Sequence, residues 1–158
     1  MALSTESANL VWQKAFVALQ SLGAKPSIVD SLRRLKEKLA TVNANPDLQF
    51  VTMADITGDT VIADAACKLY AIFVKKQATA TDAYFKTNDH ATTCGAANGA
   101  SMTDCVWLPD SGDQHLFVFP NGRAQANGIT VASQTTAPGN TDNTSGDGPN
   151  GFVILGKP

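Results

Sequence analysis

Side chains able to do chemistry are few in this chain, and most lie in its second half. The two histidines, His90 and His115, and the three cysteines, Cys67, Cys94 and Cys105, are its nucleophile, base and soft metal-ligand set. Cys94 follows His90 by four residues in a polar stretch, where an imidazole could draw the proton from a thiol. No orienting partner for the imidazole and no oxyanion-hole motif accompanies them, so the plain reading is two polar-loop residues. Adding Asp89 and Cys105 makes four zinc donors, but their spacing is irregular and lacks C-x-x-C. Cys94 and Cys105 flank a Gly/Ala/Asn loop that a disulfide could close, although cytosolic synthesis favours free thiols. Cys67 reads as a small buried hydrophobe.

The carboxylates invite two further tests. Asp110, Asp113, Asp142 and Asp147 are hard oxygen donors among glycines, as calcium prefers, but no twelve-residue calcium loop arranges them, and aspartate in turns usually bonds to its own backbone. Both glutamates, Glu6 and Glu37, are N-terminal. A paired-carboxylate glycosidase would therefore need two aspartates, and no pair stands out. Phosphate-loop, nucleophile-elbow, H-E-x-x-H and dinucleotide signatures are all missing. Asn143-Thr144-Ser145 matches a glycosylation sequon and reads as chance. Trp107 and Tyr84 are aromatics of the kind that stack on sugars, yet both lie in strand patterns where core packing is the default. The expectation is a non-enzymatic protein with no cofactor and no metal.

The elements that must position these residues fall into two groups. Residues 1–46 read as a helical module with helices over about 7–22 and 27–43. In the first, Val11, Ala15, Ala18, Leu19 and Leu22 keep helical spacing, Trp12 and Phe16 widen the stripe, and Gly23 occupies a left-handed C-cap position. The second opens with Ser27 and Asp30 in a capping-box arrangement. Its apolar positions Ile28, Leu32, Leu35, Leu39 and Val42 repeat at 4, 3, 4, 3, a two-heptad seam that wants a partner. An antiparallel hairpin against Trp12, Phe16 and Leu19 is one solution, and self-association about a symmetry axis is the other. Asn43-Ala44-Asn45-Pro46 then acts as a hinge.

From residue 47 to 158 the pattern is all-β: short runs at 49–54, 60–63, 68–75, 83–87, 105–108, 115–119, 129–133 and 152–155, separated by turn residues. The fold class expected is α+β, a helical hairpin or arm followed by an antiparallel β-sandwich or jelly-roll-like domain. Leu69 to Val74 is apolar on both faces and should be a central strand, with Phe117 and Val118 hinting at another. Four Asn-Gly pairs, at 98–99, 121–122, 127–128 and 150–151, read as tight turns, and Phe119-Pro120-Asn121-Gly122 is the strongest hairpin signal. Thr135 to Asn150 reads as an exposed loop.

Composition narrows the function classes. The 158 residues hold 44% apolar and 16% charged side chains, too few charges for a disordered chain. Twelve basic against fourteen acidic groups give a net charge of −2. They divide unevenly, with an N-terminal excess of base and an acidic remainder. Between Thr87 and Gly156 Arg123 is the only basic residue against six aspartates, which disfavours nucleic acid. The longest apolar run, Leu69 to Val74, is far short of the roughly 20 residues a membrane-spanning helix needs, and no signal-peptide pattern is present. Synthesis in the cytoplasm is expected.

The order Lys68-Leu69-Tyr70, Ala83-Tyr84-Phe85-Lys86, Gly128-Ile129-Thr130-Val131-Ala132, Asn140-Thr141-Asp142-Asn143-Thr144 and a closing apolar strand resembles the β-sandwich head-decoration, or cement-like, proteins of tailed bacteriophages. The resemblance covers roughly Ala66 to Leu155. The Cys94 to Cys105 insertion and the helical first 45 residues depart from it, so the attachment mode does not carry over. It implies a virion structural protein on the capsid exterior that binds the major capsid protein and bridges its subunits, with a trimer matching the threefold axes of an icosahedral shell. Trp12, Phe16, Ile28, Leu32, Leu35 and Leu39 are the residues expected at an oligomer or capsid interface. The competing expectation is a tail or head-fibre module that recognises a host-surface glycan or receptor through the loops at 88–104 and 134–150.

Overall fold

The computed structural model describes residues 7–42, 47–77, 82–92, 94, 103–135 and 146–158. The expected hinge at 43–46, the Asn98-Gly99 pair, Asp142, the sequon and the 140–144 motif lie outside these residues, as does the Val42 side chain. Two helices, α1 (Ala8–Ser21) and α2 (Pro26–Val42), precede eight strands: β1 (Leu48–Met53), β2 (Thr60–Ala63), β3 (Cys67–Lys75), β4 (Ala83–Asn88), β5 (Asp104–Leu108), β6 (Gln114–Gln125), β7 (Ile129–Gln134) and β8 (Asn150–Gly156).

The strands form two antiparallel four-stranded sheets, β1-β8-β3-β6 and β2-β7-β4-β5. Every connection except β4 to β5 crosses between the sheets. That strand order is a jelly roll, an architecture shared by virus shells, lectins and cupins. The first sheet is the inner one, because the helices cover its other face. Val11, Trp12, Ala15 and Leu19 of α1 and Leu32, Leu35 and Leu39 of α2 are buried in one apolar layer with Leu48, Tyr70, Phe73, Phe152 and Ile154 of the sheet. A second layer, between the sheets, holds Leu69, Ile72, Val74, Val153 and Leu155 against Phe85, Leu108, Ile129 and Val131.

The heptad seam therefore closes on a sheet. A stripe at 3- and 4-residue spacing specifies one narrow apolar face and leaves open what covers it; here α2 lies along β6 and α1 over β1 and β8. The start of α2 also differs from expectation. The helix begins at Pro26, whose missing N–H is no loss at a first helical position. Ser27 is then already inside the first turn, where its carbonyl accepts from the Ser31 hydroxyl, and Asp30 pairs with Arg33 and Arg34. At the end of α1, Gly23 takes φ +66°, the left-handed conformation expected of it.

Two of the turn assignments are corrected. Asn121-Gly122 lies within β6, where residues 119–122 bulge opposite the single residue Tyr70. Gly122 has φ +71°, and a Cβ there would stand 2.9 Å from the Tyr70 ring. Pro120 is tolerated because β6 is the edge strand of its sheet. Asn150-Gly151 opens β8 rather than a turn. β6 is only partly buried, whereas β8, set between β1 and β3, is the second strand covered on both faces.

One ion pair ties the two sheets at their edges. Arg123 of β6 makes a bidentate contact with Asp104 of β5, at 2.9 and 2.6 Å, and its guanidinium also stands 4.2 Å from the centre of the Phe119 ring. Burial raises the Asp104 pKa, but bonds from Arg123 and the Thr87 hydroxyl outweigh that and hold it below the ordinary carboxyl value. A depressed carboxyl stabilises the fold fully above its unfolded value, and the contribution disappears as pH falls through the folded one. Asp104→Asn should therefore lower stability at neutral pH, with the gap from wild type closing below about pH 4 in chemical denaturation. Leu32→Ala should cost about 2–5 kcal/mol in the same assay, against less than about 0.5 for exposed Leu10→Ala.

Candidate docking surface

With its apolar stripe turned to the sheet, α2 presents charge outward. Residues 7–42 contain six basic side chains and two acidic ones. Asp30 is shared between Arg33 at 3.5 Å and Arg34 at 2.9 Å, both exposed pairs of small energetic weight. Between the helices runs a groove of about 790 Å³, with Phe16, Leu19, Ala24 and Val29 as apolar lining and Arg33, Lys36 and Glu37 as charged lining. The Lys36 ammonium stands 5.9 Å from the Phe16 ring centre, in reach of a cation–π contact.

The turn at one end of this groove is fastened to the inner sheet. The Lys75 ammonium donates to the Leu22 carbonyl, where the exposed carbonyls of α1 carry partial negative charge. Gln114 works in both directions: its amide donates to the Gly23 carbonyl at 2.9 Å and its oxygen accepts from the Lys25 N–H at 2.8 Å. These bonds fasten the interhelical turn, and with it one end of the groove, to the sheet.

The six residues expected at an interface divide accordingly. Trp12, Leu32, Leu35 and Leu39 are buried within the chain's own core, while Phe16 and Ile28 are half-buried at its margin. Of the six, Phe16 alone lines the groove. Val29, Arg33 and Lys36 line the groove as well and were not among the residues expected at an interface; the small pair Gly23-Ala24 between two helices was the available sign that a depression would form there.

The chemistry-bearing side chains are placed as structure. Cys94 is buried, its N–H donating to Asp59 at 3.0 Å. Burial, reinforced by the Asp59 charge, pushes its thiol up to about 12, and burial likewise pushes Cys67 to about 11. A nucleophile needs the thiolate, and these groups stay protonated at neutral pH. His90 is exposed, with its ring nitrogen accepting from the Thr92 N–H at 3.2 Å. Cys94 and Cys105 are both free thiols.

The aspartates fasten loops. Asp113 accepts from the Asp110 N–H, and Asp89 from the N–H groups of Ala126 and Asn127. Asp55, which has φ +49°, accepts from the N–H groups of Gly146 and Gly148 at 2.8 to 3.0 Å. Among the described residues no three His, Cys, Asp or Glu side chains are grouped to hold a metal, and no helix is long and apolar enough to cross a membrane.

Trp107 and Tyr84 reverse their expectation. They project from the outward face of the outer sheet, and Trp107 is 55% exposed.

Thiol labelling of the native protein at about pH 7.5 should modify Cys105 alone, with Cys67 and Cys94 reacting only after denaturation, as mass spectrometry of the labelled peptides would register. No family model matches this chain, and no curated protein or solved structure matches it.

Proposed function

We propose that this protein is a non-enzymatic virion structural protein that decorates the exterior of a tailed-phage capsid, docking on the major capsid protein and bridging neighbouring subunits. The observation that carries this reading is the groove between α1 and α2, where Phe16, Leu19 and Val29 offer an apolar seat beside Arg33 and Lys36. Such a surface suits a partner segment that inserts an apolar side chain and carries acidic neighbours, since charge complementarity speeds encounter and fixes register. The order of sequence motifs from Ala66 to Leu155, which resembles that of head-decoration proteins, supports the same role. The jelly roll is compatible with it but does not select it, because one fold serves many functions.

Attachment in this reading runs through the outward helix face, not through the buried seam. Self-association belongs to the proposal as a trimer matched to the threefold axes of the shell.

The test is to add purified protein to particles stripped of it and to count the bound copies. Arg33→Glu with Lys36→Glu should lower occupancy at least about tenfold, equivalent to 1.4 kcal/mol, with unchanged circular dichroism. Native mass spectrometry should find three times the 16.6 kDa chain mass, in solution or on the shell. Undiminished occupancy for the double variant would overturn docking through this groove.

A further inference from the structure

We propose that the outward face of the outer sheet carries a carbohydrate-binding platform, formed by Trp107, Tyr84 and Asp82, that takes the C–H face of a pyranose ring. Side-chain alternation sends Ala83, Phe85, Val106 and Leu108 into the layer between the sheets, so Tyr84 and Trp107 must point the other way. They are directly opposed across β4 and β5, with rings 14° from parallel and centroids 6.2 Å apart. The indole N–H donates to an Asp82 carboxylate oxygen at 3.3 Å, which restrains the ring. β5 is the edge strand of its sheet, so among the described residues no strand lies beyond Trp107.

These features select a sugar over other occupants. An indole face carries negative quadrupole charge, which attracts the weakly positive C–H groups on one side of a pyranose. The ring hydroxyls project around its rim, and a carboxylate beside the indole is placed to accept from them. A restrained aromatic loses little conformational freedom on binding. Among the described residues the exposed charged groups in the neighbouring turns are Asp82 and Asp110, while the cations nearby are engaged within the protein, Lys86 with Gln134, Lys76 with the Pro109 carbonyl and Arg123 with Asp104. That acidic setting disfavours phosphate-bearing ligands and anionic membranes. The platform also lies on the opposite side of the body from the helices, so a glycan and a partner seated in the helical groove would not compete.

The protein carries its own reporter. Of the two tryptophans, Trp12 is buried, so a change in emission on adding ligand reports Trp107. The isolated full chain should be titrated with neutral oligosaccharides, namely cellotetraose, maltotetraose and chitotetraose, and screened on a printed glycan array. A saturable emission shift with at least one sugar is expected, together with saturation transfer to its ring C–H protons. Trp107→Ala should weaken binding at least about tenfold, judged by saturation transfer, and Trp107→Phe should restore part of it. Arg33→Glu should leave it unchanged. Silence across the array and all three titrations would overturn the proposal, as would binding undiminished in Trp107→Ala or Trp107-dependent binding confined to anionic vesicles or peptides. Because no capsid takes part, failure here is distinguishable from failure of docking through the helices.

Discussion

The inner sheet is apolar on both faces, and everything else in the architecture follows from covering it. β3 and β8 alternate large apolar side chains to either side: Tyr70, Phe73, Phe152 and Ile154 toward the helices, Leu69, Ile72, Val153 and Leu155 toward the outer sheet. A single jelly roll would bury only the second set. The first must be covered by something, and α1 and α2 supply the cover. At about 25 cal/mol per Å² of apolar surface, leaving those side chains in water would cost several kcal/mol. The helical segment is thus a third layer sharing a core with the sandwich. Because its apolar stripes are consumed inward, its outward surface is left basic, with a shallow apolar groove where the two helices part.

Polar side chains do the joining at the ends of these layers. Lys75 and Gln114 hold the interhelical turn, Asp55 holds the turn at 146–148, Asp89 holds 126–127, and the Arg123–Asp104 pair clasps the two edge strands. This is where the aspartates of the second half are used. Asp55 and Asp89 accept from backbone N–H groups, largely at exposed positions, and Asp104 pairs with a part-buried guanidinium. The same chemistry explains why potential metal ligands are scattered: they sit where loops need fastening. The buried thiols of Cys67 and Cys94 are likewise packing groups kept protonated by their surroundings.

The result is a small body with two unlike faces. On one side, Arg33, Lys36 and Glu37 flank an apolar groove; on the other, an exposed indole stands beside a phenol and a carboxylate. Both are held by regular secondary structure, the first by fastened helices and the second by paired strands. Such presentation lets modest contacts count, because little motion has to be frozen when a partner arrives.

The sequence by itself determined the local elements. Both helices and seven of the eight strands stand within about two residues of where periodicity and turn residues put them, because side-chain spacing and backbone preference act over short distances, whereas β6 continues through the expected turn to Gln125. The two-sided burial of β3 was likewise legible from Leu69 to Val74. What covers what was decided only in three dimensions. The stripe Leu32, Leu35, Leu39 has the same spacing whether it meets a helix, another chain or a sheet, and only the assembled sheet, with Phe73 and Phe152 facing outward, settles the choice. Asn121-Gly122 carries the preferences of a hairpin yet forms a bulge in the edge strand β6, opposite Tyr70 of β3. Trp107 obeys strand alternation, but its exposure depends on which sheet β5 joins and on its place at that sheet's edge. These outcomes rest on contacts between residues far apart in sequence, and no local pattern encodes them.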